Sequence, residues 1–226
     1  MTSIELSYID YNFNDNILAI THTEKSEYSR IEIANILGQT SQDLAIPLQT
    51  HSANVLYIDK PGEVENCDGL ITHESNVVLS LQTADCIPVF LHDEVTGLRG
   101  LIHAGWRGIV SGIVKNTIEL MVAHQSKVEN IKVVLGPSIC KNCFEVGSEV
   151  AVKFETKYKN KGLKGKWHVD LHGQVKCQLL DLGIFLLNIK SSHICSYENK
   201  DCCSYRRDSL TAGRMFSFMG VKNGSH

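Results

Sequence analysis

Four segments combine reactive side chains with turn residues at the edges of apolar runs. They are Gln49-Thr-His-Ser-Ala-Asn-Val55, Asp68-Gly-Leu-Ile-Thr72, Thr83-Ala-Asp-Cys-Ile-Pro-Val89 and His103-Ala-Gly-Trp-Arg-Gly108. Strand ends and the loops that leave them are where α/β proteins place their sites. Cys86, His51 and His103 offer a thiolate and two imidazoles, donors that suit zinc, and three protein ligands plus an open position is a catalytic zinc pattern. The same Cys86 and His103 would also serve as a nucleophile and its base. A buried structural cysteine beside two ordinary histidines requires neither. No short zinc-finger spacing relates the three, so the residues alone leave these readings open.

His103 to Gly108 falls between an apolar strand and an amphipathic helix. Gly105 and Gly108 permit a sharp turn and a close approach of backbone to ligand. A helix N-terminus there would present unpaired N–H groups, and Arg107 adds a permanent planar charge. Phosphate or another anion fits this combination; a core Trp106 with a solvated Arg107 is the plainer alternative. The tail, Ser204-Tyr-Arg-Arg-Asp208 followed by Thr211-Ala-Gly-Arg214, is either an anion or base-edge site or a polar loop before an edge strand.

Other cysteines carry less. Cys140-Lys-Asn-Cys143 is a CxxC with no second ligand pair at a suitable spacing, so two half-buried thiols at a helix start are expected. Cys202 and Cys203 are adjacent and poorly placed to bridge each other. The zinc deaminase signature of His-x-Glu with Pro-Cys-x-x-Cys is absent.

The elements that must position these residues follow from periodicity. Residues 4–20 read as two strands joined at Asn12–Asn16, and Ser29–Leu37 as a helix. Strands are expected at Asn54–Asp59, Val77–Leu81, Ile87–Leu91, Leu98–His103 and Ile131–Leu135. Apolar residues recur at helical spacing from Trp106 to His124, and Val146–Tyr158 and Gly173–Leu187 also read as helical. Lys157–Lys166 reads as a basic surface loop, Met215–Val221 as a closing strand, and Asn223–His226 as a loose end. Strands and helices interleave with no linker or repeat, which predicts one α/β domain over 1–226, mixed sheet layers flanked by helices.

The 226 residues are 43% hydrophobic and 21% charged, ordinary globular usage that excludes low-complexity disorder. A net charge of −3 gives no footprint for nucleic acid or an anionic membrane. The start, Met1–Asp10, lacks a basic region followed by an apolar one, and no apolar run is long enough to span a bilayer. A cytoplasmic chain with reduced thiols is expected.

Taken together, Gln49-Thr-His51, Asp68-Gly-Leu-Ile-Thr72, Thr83-Ala-Asp-Cys86-Ile-Pro, His103-Ala-Gly-Trp-Arg-Gly108, Leu135-Gly-Pro-Ser-Ile139, Cys143-Phe-Glu-Val146, Asp170-Leu, Ser204-Tyr-Arg-Arg-Asp208 and Gly213-Arg-Met215 resemble one family. It is the YfiH-like, or multicopper polyphenol oxidase (laccase) domain, family, now regarded as purine nucleoside phosphorylases. The motifs run in the family's order over roughly residues 45–220.

The resemblance implies a mixed α/β fold similar to that of a toxin deamidase with a Cys–His site. It also implies one metal, zinc with copper as the alternative, on His51, Cys86 and His103. The implied activities are phosphorolysis of adenosine, inosine, guanosine and methylthioadenosine, with adenosine deamination beside it. The partners would be a purine nucleoside and phosphate, with no nucleic acid and no membrane. Cys86, His103, Asp68 and Arg107 are then the catalytic candidates. Gln49, Arg107, Tyr205 and Arg206 are candidates for holding nucleoside or phosphate, and Asp68 or Asp85 for orienting a ligand histidine or moving a proton. The rivals are a metal-free Cys–His hydrolase or deamidase, a copper-dependent phenol oxidase, and a non-catalytic nucleoside- or metal-binding protein. One departure stands out: where the family carries Thr-Thr-Arg-x-Gly-Gly-Val-Ser, this chain has Thr21–Arg30 without the glycines.

Overall fold

Strands that are apolar on both faces must be covered on both faces, and the chain meets this demand with four layers. The computed structural model describes residues 7–24 and 28–222. In chain order the strands are β1 (Tyr8–Asp10), β2 (Ile17–His22), β3 (Leu44–Pro47), β4 (Val55–Tyr57), β5 (Gly62–Val64), β6 (Gly69–Thr72), β7 (Val78–Thr83) and β8 (Ile87–Asp93). There follow β9 (Arg99–Ala104), β10 (Ile131–Leu135), β11 (Glu145–Val146), β12 (Lys159–Lys161), β13 (Trp167–Val169), β14 (Ile189–Ser191) and β15 (Met215–Val221). The α-helices are α1 (Arg30–Ile36), α2 (Trp106–Ser111), α3 (Ile113–Ala123), α4 (Ser148–Ala151), α5 (Leu171–Asp181) and α6 (Tyr205–Asp208).

One six-stranded sheet has the order β1-β2-β15-β7-β3-β5 and the other β14-β10-β8-β9-β6-β4, with a small sheet β11-β13-β12 beside them. Both large sheets mix parallel and antiparallel pairs. Alternation along the strands sorts residues between layers. In β2, Ile17 and Ala19 pack between the two sheets, while Leu18 and Ile20 pack against Ile33 and Ala34 of α1. In β8, Phe90 points between the sheets, while Val89 and Leu91 join Ile109, Ile118 and Val175 under α2, α3 and α5. The result is a single α/β domain, as the interleaved pattern predicts. Helix α1 starts where Ser29 and Glu32 exchange capping hydrogen bonds, a reciprocal box that satisfies end N–H groups.

Several expectations change. The helix from Trp106 to His124 is two helices, broken at Gly112, whose φ of 94° suits glycine. The helix over Val146–Tyr158 is the single turn α4 and a 3-10 turn at Thr156–Tyr158, because Lys159 Nζ donates to the carbonyl oxygens of Ala151 and Phe154 and closes the chain back. The basic loop Lys157–Lys166 holds β12, which pairs with β13 as a hairpin. The helix over Gly173–Leu187 starts at Leu171 and ends at Asp181, and a 3-10 turn follows. Strands β3 and β5 are too short to show a period. The closing strand Met215–Val221 is β15, but it lies inside its sheet between β2 and β7 rather than at an edge. Within Thr21–Arg30, residues 25–27 lie outside the described residues, as does the tail Asn223–His226. No helix among the described residues is long and apolar enough to cross a membrane.

Candidate metal centre and its cleft

Asp68 organises the centre. It sits just before β6, fully shielded from solvent. Its carboxylate accepts the backbone N–H groups of Thr50, His51 and Ser52 at 3.1, 2.9 and 2.6 Å, and the Ser52 hydroxyl at 2.7 Å. The loop after β3 is therefore wrapped around one buried charge. This holds His51 at a φ of 60°, a conformation a non-glycine residue adopts only when its surroundings impose it. The same carboxylate takes a 2.7 Å hydrogen bond from Nδ1 of His103, which lies buried in β9. With Nδ1 committed to Asp68, Nε2 is left to face the centre.

Cys86 comes from the connection between β7 and β8, where the chain passes from one sheet to the other. Its thiol lies against both imidazoles, and the His51 and His103 rings stand edge to face with centroids 4.7 Å apart. One ligand atom from each of His51, Cys86 and His103 lies within 4.8 Å of the other two. Gly105 closes the group from behind: a Cβ there would sit 3.0 Å from Cys86 Sγ and 3.2 Å from His51 Cδ2.

The electrostatics agree with the geometry. Burial works against a Cys86 thiolate, but the neighbouring His103 charge and hydrogen bonds from both histidines outweigh it and bring the thiol down to about 6. Burial likewise opposes a charged His103, but Cys86 and Asp68 raise it to about 9. Burial pushes Asp68 up, and its hydrogen bonds to His103 and Ser52 more than reverse this, holding it well below the usual carboxylate range. A thiolate, two imidazoles and a carboxylate that fixes one ring's tautomer form a donor set that fits a single metal with one position open. Without a metal, the same atoms form a thiolate–imidazolium pair.

The centre lies in a cleft of about 470 Å³. Trp106, Ile139, Phe144 and Tyr205 give it an apolar wall, and Arg107, Arg206 and Arg214 bring three guanidinium groups to it. Arg107 is exposed and stacks on the Trp106 ring at 4.4 Å. Because α2 is only six residues long, its N-terminus has a weak macrodipole, and the case for an anion passes to the arginines.

Gln49 lines the cleft, but its amide exchanges two 2.9 Å hydrogen bonds with the backbone of Gln82 and is spent tying the loop to β7. Asp85, at a φ of 84°, accepts the Ser196 hydroxyl and the Arg206 backbone N–H, both at 2.7 Å. It thus positions α6 rather than a ligand histidine. Arg206 lies over the Phe144 ring and donates to the Cys143 carbonyl. Arg207 turns away, donating to the carbonyls of Ser196, Tyr197, Asn199 and Cys202.

Of the nine candidate residues, all but Asp68, which lies behind the cleft, therefore border it. Arg214 belongs to it too, as the tail segment read as an anion or base-edge site foresaw, and so does Phe144, which only the Cys143-Phe-Glu motif hinted at. Cys140 and Cys143 are not the isolated pair that spacing suggested, since Cys195 and Glu198 lie beside them.

The fold and the centre together define an α/β protein with a Cys–His–His cluster at the base of a cationic cleft. The chain belongs to the family described as multi-copper polyphenol oxidoreductase laccase, whose model matches residues 13–222. It is similar to the adenosine deaminase RL5 of an unknown prokaryotic organism, 35% identical over 207 residues, covering 84% of this chain and 79% of that one. It is also similar to a purine nucleoside phosphorylase of Deinococcus radiodurans, 36% identical over 196 residues and covering 85% and 76%. The crystal structure of the YfiH protein of Bacillus licheniformis superposes with a TM-score of 0.82 at 26% identity, covering 91% of this chain and 93% of that one.

Proposed function

We propose that the chain is a zinc-dependent purine nucleoside phosphorylase acting on adenosine, inosine, guanosine and methylthioadenosine, with adenosine deamination as a side activity. The observation that carries this is the meeting of the His51–Cys86–His103 cluster, three guanidinium groups and an aromatic wall in one cleft. The names of the two relatives support it. Phosphorolysis forms a bond from a phosphate oxygen to the sugar C1′ while the bond to the purine breaks.

Arg107, Arg206 and Arg214 are suited to bind the phosphate, since guanidinium forks match its oxygens. Trp106, Phe144 and Tyr205 offer faces for the purine. Asp68 keeps His103 in one tautomer and orientation, and so keeps Nε2 and the Cys86 sulfur turned towards the reacting atoms. Bound to His51, Cys86 and His103, zinc would supply a Lewis acid, or a water of lowered pKa for deamination. We read zinc in preference to copper because a thiolate with two imidazoles makes one centre. No cluster among the described residues gathers the many histidines of a multicopper site. Eight cysteines, all free, suit a reducing compartment, and we place the reaction in the cytoplasm.

The test is incubation with inosine or adenosine, with and without phosphate and with zinc present. Phosphate-dependent release of the free base and a sugar 1-phosphate is expected; no turnover of any purine nucleoside would overturn the reading. The Cys86–His103–Asp68 chain of contacts favours a second reading, a metal-free Cys–His hydrolase. A zinc content that falls by one per chain in both His51→Ala and Cys86→Ala would exclude it.

A further inference from the structure

Two loops, one between β10 and β11 and one after β14, run side by side on the flank of the cleft. They are joined by a parallel bridge between Ser138 and Cys195, with hydrogen bonds from Ser138 N to the Ile194 carbonyl and from Ser196 N to the Ser138 carbonyl. Each loop carries a turn of the same design. In the first, the N–H groups of Cys143 and Phe144 donate to the Cys140 carbonyl at 3.0 and 2.9 Å. In the second, Asn199 N donates to the Cys195 carbonyl at 2.9 Å. Between the two turns, Cys140 N donates to the Cys195 sulfur at 3.3 Å. A backbone donor aimed at a cysteine sulfur is the kind of support a metal-bound thiolate takes from its surroundings.

The third residue after each leading cysteine completes the group. Cys143 Sγ lies 3.2 Å and Cys140 Sγ 3.8 Å from Glu198 Oε1, and one donor atom from each of the four residues lies within 4.8 Å of the others. A tetrahedron with zinc–sulfur bonds of about 2.3 Å and a zinc–oxygen bond of about 2.0–2.2 Å has edges of roughly 3.5–3.8 Å. Cys195 is buried, Cys140 and Cys143 are half-buried and Glu198 is exposed, so the group is formed yet reachable from solvent.

We propose that Cys140, Cys143, Cys195 and Glu198 form a second metal site, distinct from the His51–Cys86–His103 centre, that takes a thiophilic divalent cation, zinc above others. Three thiolates and a carboxylate select zinc over magnesium or calcium, and four protein ligands close the coordination sphere, the mark of a structural site. Binding releases the thiol protons to solvent. The site clamps the wall of the cleft: Ile139 and Phe144 flank the first turn and line the cleft. The second turn holds Asp85 through Ser196 and Arg207 through three carbonyls.

The inference does not depend on the proposed activity, and its test separates the two. A His51→Ala/Cys86→Ala double variant, which lacks the first centre, is purified without added metal under reducing conditions. About one zinc per chain is expected to remain. After stripping, cobalt titration of this variant should give a saturable thiolate-to-cobalt absorption and the intense visible bands of a tetrahedral site. Cys143→Ser should abolish them, and the exposed Glu198→Gln should keep the fold while weakening cobalt binding by at least about tenfold. In otherwise unaltered protein, Cys143→Ser should lower the zinc content by one and leave the zinc of the first centre. A folded double variant that holds no zinc and gives no thiolate–cobalt band would overturn the proposal, as would a Cys140–Cys143 disulfide in the freshly purified, reduced protein. If the double variant fails to fold, zinc counted in the otherwise unaltered protein against Cys143→Ser decides the same question: an equal count would overturn the proposal.

Discussion

Replacing Asp68 by Asn keeps the size of the side chain and removes its charge, and the structure states what that must cost. One carboxylate oxygen serves the His51 N–H and His103 Nδ1; the other serves the Thr50 and Ser52 N–H groups and both hydroxyls. An amide has one oxygen, so one of these sets meets an NH2 group instead. If the NH2 faces Thr50 and Ser52, their two backbone donors are stranded. If it faces His103, the His51 N–H is stranded and the imidazole must change tautomer, which removes the Nε2 lone pair from the centre. An unsatisfied buried polar group costs about 1–3 kcal/mol, so two of them cost roughly 2–6 kcal/mol.

With a urea slope of about 2 kcal/mol/M, the unfolding midpoint of the metal-free protein should fall by roughly 1–3 M at neutral pH. Metal affinity should fall by about 10–100-fold. The sign with pH is also set. The Asp68 carboxyl is held below its unfolded value of about 3.9. Its contribution is thus present above that pH and fades as the pH falls towards its folded value, and so should the difference between the two proteins. Urea melts of both at neutral and acid pH, with zinc titration by a competing chromogenic chelator, measure all three quantities. A variant within about 1 kcal/mol of the parent at neutral pH would refute the claim that Asp68 builds the centre.

Other outcomes follow from the same geometry. In metal-stripped protein, alkylation of Cys86 by iodoacetamide should rise through about pH 6 and level off by neutrality, because the thiolate forms there; a midpoint at the ordinary thiol value would contradict the His103 pairing. Gly105→Ala should leave a folded protein but weaken zinc binding by at least about tenfold, since the added methyl presses on Cys86 and His51; isothermal titration and circular dichroism separate the two effects. Arg107→Gln should raise the KM for phosphate by about tenfold, the scale of one charge-assisted hydrogen bond, with KM for the nucleoside less affected. Gly112→Ala should lower the melting temperature by several degrees, because an L residue at a φ of 94° is strained; an unchanged melt would mean that α2 and α3 can merge into the one helix the sequence pattern suggests.

Much of the frame was legible in the residues. Strands such as Ile131–Leu135 and Met215–Val221 carry their own apolar runs, whereas a centre at His51, Cys86 and His103 was implied by the family resemblance of the combined motifs and not by their spacing. The rest depends on distance in space. Nothing local tells that Gln49 spends its amide on Gln82, or that Arg207 turns inward while Arg206 and Arg214 reach the cleft. Lys159 ends α4 through carbonyls that precede it in the chain, a contact invisible to periodicity.

The cysteines make the division plainest. Side-chain types and short spacings determined that this chain has soft ligands and where its glycines let the backbone turn, since those properties belong to each residue and its neighbours. Which ligands meet was decided by tertiary structure. The crossing of β7 into β8 brings Cys86 beside β9, and the bridge between Ser138 and Cys195 lays the second turn against the first. A coordination sphere needs donors within a few ångströms of one another, and only folding sets the distance between segments remote in sequence.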